Sequence, residues 1–471
     1  MIREEREERK EERRRNVIAV FLVLSMLPIL SPAQNLRIAG KTNKPNALVR
    51  LLTYNDLFTK EQTVIGETYS DFSGNFSFNT VIQHDTPAQI AVDLDRVDLV
   101  LRPGSFYDIN VSIPAKNADL SFFEQEPPSL RINSAKDNDM SRQLIVSETI
   151  INDFVYDYID EICRAKKSYL IDTLAGKIVR AMGDRKNDFV DTYVRYKLAA
   201  LRMAASPGST ARIITEYFDS QPVLYLQSSY VDLFNEIFDG YFDSRKFNRR
   251  ELMGVMYSDY DGFWNYIMKD DFLSRNTQLA ELIVMKYLSQ FYYGNPNQKR
   301  IAVDFMDRIK NGSEYPQNRA VASDMLTRVG RLSYDTDAPD FSLRDKDGDT
   351  VSLSDYRDGM VLLQFVDRVS DMTDYEFSKL NELQKQWNDT ISVVTIATKE
   401  SFDDFAELFE NQKYNWKLLN LGDDILLFEK YNIRTCPDYV ILKSEGRIGM
   451  APAAAPDRYL DYHVRRIYGY K

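Results

Sequence analysis

The chain has 471 residues, of which 44% are hydrophobic and 12% aromatic, and its formal net charge at pH 7 is −11. That length allows about two to four domains with buried cores. The absence of basic runs after residue 16 argues against nucleic-acid binding. With only two histidines and two cysteines, the chain gives little support to metal sites built from these residues or to histidine-based triads. No metal and no cofactor are predicted.

The first 33 residues have the features of an export signal. Residues 1–16 carry seven Arg or Lys and six Glu, and an uncharged stretch follows over residues 17–30. This stretch is shorter than the roughly 20 residues that span a bilayer, and Ser31 and Ala33 are small enough for cleavage after Ala33. We expect residues 1–33 to be a signal peptide and the mature chain to be periplasmic or otherwise exported, without a membrane span. An uncleaved anchor is the alternative.

Residues 34–113 are predicted to form a small antiparallel β-sandwich. Ser73-Gly74-Asn75 is a turn signal before the alternating Phe76-Ser77-Phe78, and Pro103-Gly104 marks another turn. Residues 36–39, 49–52, 89–92, 98–101 and 107–111 are further short strand-like runs. The polar, proline-containing segment 114–138 is expected to be a linker or an extended arm.

Residues 139–333 show helical periodicity and are predicted to be all-α, with five to eight helices. Tyr225, Tyr230, Phe234 and Tyr241 lie close together in this region. We interpret them as part of a packed core, with an aromatic binding groove as the alternative. Cys163 also falls here and is expected to be a helix residue that forms no disulfide with Cys436.

Residues 334–471 are predicted to form an α/β domain. The run 361–366 is almost wholly apolar, as is typical of a strand buried on both faces, and 392–396 and 439–442 are further strands. Between and after them, residues 373–387, 401–409 and 457–468 have helical patterns. The fold class is therefore a multidomain α+β protein.

This last domain resembles the thioredoxin-like domain of Bacteroidetes-type envelope proteins, of the TlpA and ResA type in the AhpC/TSA superfamily. The resemblance rests on 338–343, which reads Ala-Pro-Asp-Phe-Ser-Leu, on Asp347-Gly348 and on the strand 361–365. It covers nearly all of the mature chain, because a β-module and a helical region also precede the domain in that family. It implies a thioredoxin fold and a W-C-x-x-C motif directly after the strand.

The motif is missing from this chain. The matching positions read Ser370-Asp371-Met372-Thr373, with hydroxyl side chains where the resemblance implies two cysteines. In such enzymes a thiolate at a helix N-terminus attacks a disulfide and a second thiol resolves the product, and a serine cannot perform this reaction. Ser370 and Asp371 are expected to cap the helix instead. The family's cis-proline corresponds to Pro437, which follows Cys436.

Two functions from different classes remain open. We favour a redox-inactive, secreted protein that binds or scaffolds a protein or peptide partner at the bacterial envelope. The alternative is an enzyme that uses Cys436 as a single thiol in disulfide exchange, although no lysine or histidine is evident to activate it. The carboxylates of Asp367, Asp371 and Asp374 are interpreted as a solvated rim rather than a cation site. The sequence indicates no oligomeric state.

Overall fold

The computed structural model describes residues 35–133, 140–183, 187–244, 246–387, 390–422 and 424–469. The predicted signal peptide lies outside these residues. The chain is a multidomain α+β protein with an N-terminal β-sheet region, a central helical region and a C-terminal thioredoxin-like α/β domain, as the sequence predicts. Within the described part, no helix combines the length and the apolar character that crossing a membrane requires.

The N-terminal β-module consists of two four-stranded sheets around one apolar core. Their strand orders are β4-β1-β7-β8 and β3-β2-β5-β6, and all pairs are antiparallel except β1 with β7. Buried and exposed residues alternate along β1, so each sheet turns one face inward. The strands are β1 Asn35–Thr42, β2 Leu48–Tyr54, β3 Gln62–Tyr69, β4 Asn75–Val81, β5 Thr86–Val92, β6 Asp95–Leu101, β7 Phe106–Ser112 and β8 Ser129–Ile132.

The segment 114–138, expected as a linker or arm, contains regular structure. Strand β8 pairs with β7, and a short 3-10 turn covers Phe122–Glu124. Residues 134–139 lie outside the described part of the chain.

The described helical region contains eleven α-helices, so the expectation of five to eight was wrong. Five of them have ten residues or fewer, too short for the hydrophobic period to separate neighbouring helices. They are α1 Met140–Cys163, α2 Tyr169–Met182, α3 Asp188–Ala205, α4 Thr210–Tyr217, α5 Ser228–Ile237, α6 Arg249–Met256, α7 Tyr260–Ile267, α8 Asp271–Arg275, α9 Thr277–Phe291, α10 Pro296–Gly312 and α11 Pro316–Gly330.

The C-terminal domain is built on a seven-stranded sheet with the order β10-β9-β13-β12-β11-β14-β15. Every residue of β11 is buried, because this strand lies in the middle of the sheet with helices on both faces. The strands are β9 Ser342–Asp345, β10 Thr350–Ser352, β11 Met360–Val366, β12 Ile391–Ala397, β13 Lys417–Asn420, β14 Asp438–Lys443 and β15 Arg447–Met450; the helices are α12 Asp371–Gln386, α13 Phe402–Gln412, α14 Ile425–Lys430 and α15 Leu460–Tyr468.

The β-module packs against both other regions. Leu57 lies in the core of the helical region, and its N–H donates to the carbonyl of Tyr225 at 2.9 Å. Leu52 and Leu94 instead belong to the apolar core shared with the C-terminal domain. These contacts hold three cores together through one small sheet module.

Candidate functional site

The candidate site lies where β11 ends and α12 begins. Asp367, Arg368 and Val369 form the connection, and Ser370 is the N-cap of α12. Loops at the carboxyl ends of central strands are frequent positions for ligands and catalytic groups in α/β folds. Ser370 and Thr373, which stand where the resemblance implies two cysteines, therefore lie where a functional group is expected in such a fold.

Ser370 and Thr373 are hydrogen-bonded to each other's backbone. The N–H of Thr373 donates to Ser370 Oγ at 3.3 Å, and the N–H of Ser370 donates to Thr373 Oγ1 at 2.7 Å. Thr373 is buried, whereas Asp371 and Met372 between them are exposed. The reciprocal bonds satisfy two amides that the start of a helix otherwise leaves unpaired. These two hydroxyls therefore cap the N-terminus of α12.

Cys436 and Pro437 form a cis peptide bond immediately before β14. The Cys436 side chain is half-buried and packs against the core of the C-terminal domain. Burial raises the pKa of its thiol well above the ordinary value of 9.0, and the negative charges of Asp367 and Asp438 raise the pKa further. Cys436 is therefore a protonated thiol near neutral pH, the opposite of an activated nucleophile.

The connection between β7 and β8 of the β-module contacts the loop that holds Asp367. We call residues 117–125 the strap. Its ends are joined by Gln125, whose Nε2 donates to the carbonyl of Asn117 at 2.9 Å. Asp367 Oδ2 accepts hydrogen bonds from the Phe122 N–H, at 2.8 Å, and from the Ser121 hydroxyl. The Asp367 carboxylate thus accepts two hydrogen bonds from the strap.

Two aromatic side chains of the strap add apolar contacts. Phe122 meets Phe428 of α14 edge to face, with ring centroids 6.1 Å apart. Phe123 stacks on the same ring at 5.9 Å. Arg368 donates to the backbone carbonyl of Asp119, so the loop and the strap hold each other from both sides. The ring contacts with Phe428 and these hydrogen bonds fix the strap against the C-terminal domain.

A buried polar chain lies one helical turn beyond Thr373. The Tyr439 hydroxyl donates to Glu376 Oε2 at 2.5 Å and accepts from Gln364 Nε2 at 3.1 Å. Thr395 Oγ1 donates to Gln364 Oε1 at 2.9 Å, and Trp416 Nε1 donates to Thr395 Oγ1 at 2.9 Å. Burial raises the pKa of Glu376, while the Tyr439 hydrogen bond acts in the lowering direction.

Sequence reasoning did not single out Glu376. The available signal was its spacing, because a residue three positions after Thr373 lies on the same inward face of the helix. A charged residue on a face that otherwise carries Phe377 and Leu380 marks a buried polar group.

The structure places the other predicted candidates away from this site or within the core. Tyr230 and Phe234 are buried among aromatic side chains of the helical region, in agreement with the interpretation as core. Cys163 ends α1, and both cysteines are free. Among the described residues no group of three or more His, Cys, Asp or Glu side chains is arranged to hold a metal ion.

Residues 335–450 match the model of the AhpC/TSA family. The chain is similar to the solved thioredoxin domain of a thiol-disulfide oxidoreductase from Bacteroides vulgatus, with 22% identity over 30% of this chain and 99% of that chain and a TM-score of 0.27. A thiol:disulfide interchange protein from Bacteroides sp. is 23% identical over 30% of this chain and 94% of that chain, with a TM-score of 0.27.

A thioredoxin family protein from Chlorobium tepidum is 17% identical over 29% of this chain and 97% of that chain, with a TM-score of 0.25. No curated protein matches the chain.

Proposed function

We propose that this chain, whose residues 335–450 form an AhpC/TSA family domain, is a redox-inactive thioredoxin-like protein that binds or scaffolds a protein or peptide partner at the bacterial envelope. The observation that carries the proposal is the pair of hydroxyls at Ser370 and Thr373, which are bonded to the start of α12. A hydroxyl at this position is not ionised near neutral pH and forms no disulfide. The domain therefore has the thioredoxin-like fold but lacks the two cysteine sulfur atoms that would react.

The state of Cys436 supports the same proposal over the alternative of a single-thiol enzyme. Disulfide exchange requires a thiolate. Burial and the two neighbouring carboxylates, Asp367 and Asp438, raise the pKa of Cys436, so little thiolate forms at neutral pH. The groups that shift this pKa include no cation that would oppose the effect.

Exposed apolar side chains around the α12 start support a role in partner binding. Val369, Met372 and Tyr375 are 39%, 59% and 48% exposed, and Leu120 and Phe123 of the strap are 38% and 40% exposed. Asp367 and Arg368 join these two groups through their bonds to the strap. Contiguous exposed apolar side chains with a polar surround are typical of protein interaction sites.

The proposal also includes export. The predicted signal peptide, residues 1–33, precedes the described chain, and cleavage near Ala33 would release the three domains into the periplasm or beyond. Sequencing the N-terminus of protein recovered from cells tests this part, since a mature N-terminus at residue 34 is the expected result.

Reduction of a protein disulfide tests the redox part. Wild-type protein and the variant Cys436→Ser are compared in the presence of a dithiol reductant. We expect both to match the reductant alone. Turnover that persists in Cys436→Ser would overturn the proposal of an inactive domain, and turnover that Cys436→Ser abolishes would establish the single-thiol enzyme.

A photo-crosslinking residue tests the partner-binding part. Placed at Met372, it should give a defined cross-linked product in the native envelope, and a second substitution, Tyr375→Asp, should reduce the yield. The matched control carries the same residue at Lys413, an exposed position at the end of α13. Equal products from both positions would contradict a binding site at the α12 start.

A further inference from the structure

The three regions of the chain meet around a cleft with a volume of about 830 Å³. Gln62 lines it from the β-module, Tyr293 from the helical region and Asn432 from the C-terminal domain. Its volume is within the range of about 300–1,000 Å³ that is usual for small-molecule sites, and such sites occur preferentially between domains. We call it the basic cleft.

The lining of the basic cleft has the opposite charge to the protein as a whole. It contains seven Lys or Arg side chains and three carboxylates, which leaves an excess of four positive charges, whereas the complete chain has a net charge of −11. Two other surface cavities, one beside α8 and one beside β13, each have equal numbers of cations and carboxylates. Charge of one sign in a concave site concentrates ligands of the other sign.

Two of the three carboxylates are neutralised inside the cleft. Glu429 lies 2.5 Å from Arg96 Nη1, and Glu61 forms an ion pair with Arg331. The third carboxylate, Asp438, is partly desolvated, and this desolvation raises its pKa. These pairings leave the remaining five cations to dominate the cleft.

The five cations have no carboxylate within ion-pair distance among the described residues. They come from all three regions: Lys60, Lys299, Arg328, Lys430 and Arg434. Arg328 donates to the carbonyl of Thr59 at 3.1 Å, and Arg434 donates to the side chain of Asn432 at 3.2 Å. Both bonds hold a guanidinium in place while leaving its charge uncompensated.

An aromatic surface accompanies the cations. Tyr293 is 76% exposed and rests edge to face on Tyr292, with ring centroids 5.4 Å apart. Lys299 lies over the Tyr292 ring at 4.9 Å. The cleft therefore offers an exposed ring next to a fixed ammonium group.

We propose that the basic cleft binds a small organic polyanion, a molecule with two or more carboxylate or phosphate groups and an apolar face that lies against Tyr293. The cations from three regions neutralise its charges, and the ring covers its apolar face. This inference is independent of the proposed function, because it concerns a different surface and does not depend on redox chemistry.

Titration calorimetry of the full chain at low salt tests the proposal with three probes: benzene-1,3,5-tricarboxylate, citrate and pyrophosphate. The first two carry three carboxylates each, but only the first has a ring. We expect binding with a Kd below about 1 mM and tighter binding of the ring-containing probe than of citrate. The ratio of the Kd values for citrate and pyrophosphate distinguishes a carboxylate ligand from a phosphate ligand.

Variants from different regions test whether the cleft is the site. Lys60→Gln and Lys299→Gln should each weaken binding up to about fivefold, as exposed ion pairs contribute up to about 1 kcal/mol, and Lys430→Gln with Arg434→Gln should weaken it by about tenfold or more. The control Lys246→Gln with Lys269→Gln, in a cavity of balanced charge, should leave binding unchanged. Circular dichroism confirms that each variant is folded.

Two results would overturn the proposal. One is the absence of binding by all three probes at about 1 mM. The other is an equal loss of affinity in the cleft variants and in the control variant, which would show non-specific attraction to surface cations.

Discussion

Asp367 and Phe122 are 245 positions apart in the chain and are joined by a hydrogen bond of 2.8 Å from the Phe122 N–H to Asp367 Oδ2. The same oxygen accepts the Ser121 hydroxyl. This carboxylate sits three residues before the α12 N-cap, in the loop where thioredoxin-like enzymes approach their cysteine pair. The strap from the β-module is therefore part of the candidate site.

We predict that Asp367→Ala releases the strap. Hydrogen bonds to a charged group contribute about 1.5–3 kcal/mol, so amide exchange over residues 117–125 should accelerate by at least about tenfold. Hydrogen–deuterium exchange with peptide resolution measures this. The control Asp371→Ala removes an exposed carboxylate of the same loop region and should leave strap exchange unchanged. Equal exchange in wild type and Asp367→Ala would show that the aromatic contacts with Phe428 suffice.

We predict that Cys436 is alkylated slowly at neutral pH. Its pKa lies above 9.0, because of burial first and then the charges of Asp367 and Asp438. The alkylation rate, read by mass spectrometry of the Cys436 peptide, should keep rising as the pH passes 9. Asp367→Asn removes one of the two charges and should increase the rate at pH 8. A rate that reaches its plateau below pH 8 would contradict this assignment.

We predict that the helix-capping bonds of Ser370 and Thr373 stabilise the C-terminal domain. Replacing an N-cap hydroxyl costs about 1 kcal/mol, so Ser370→Ala should lower the free energy of unfolding by about that amount. Urea unfolding followed by tryptophan fluorescence measures it, since Trp387 and Trp416 are both buried in this domain. Ser378→Ala changes an exposed serine of the same helix and should have no comparable effect.

We predict a specific pH dependence of stability from Glu376. Burial raises its pKa in the folded state above the ordinary value of 4.5, so between these two values the folded state binds more protons than the unfolded state. Stability should therefore fall as the pH rises through this window and level off above the folded-state pKa.

Unfolding of wild type and Glu376→Gln over a pH series tests this. Glu376→Gln should not show the decrease in stability that the titration of Glu376 causes in the wild type. Glu382→Gln, an exposed carboxylate of α12 that pairs with Lys379, serves as the control and should retain the decrease. Parallel curves for wild type and Glu376→Gln would contradict the prediction.

Much of the architecture followed from local patterns. The almost wholly apolar run of β11 and the alternating Phe76-Ser77-Phe78 of β4 predicted strands, because burial on two faces or on one face dictates those patterns. Short helices and the strands β3, β8 and β13 were missed. They carry too few residues, or too little apolar contrast, for a period to be visible.

The composition and order of residues determined the domain classes, the missing cysteine pair at Ser370 and Thr373, and the scarcity of histidine and cysteine. These properties depend on which residues are present. The attachment of the strap to Asp367, the burial of Cys436 and Glu376, and the gathering of five cations into the basic cleft depended on the tertiary structure. Each of these features depends on contacts between segments that are far apart in the chain. Only the packing of the three regions brings such segments within contact distance.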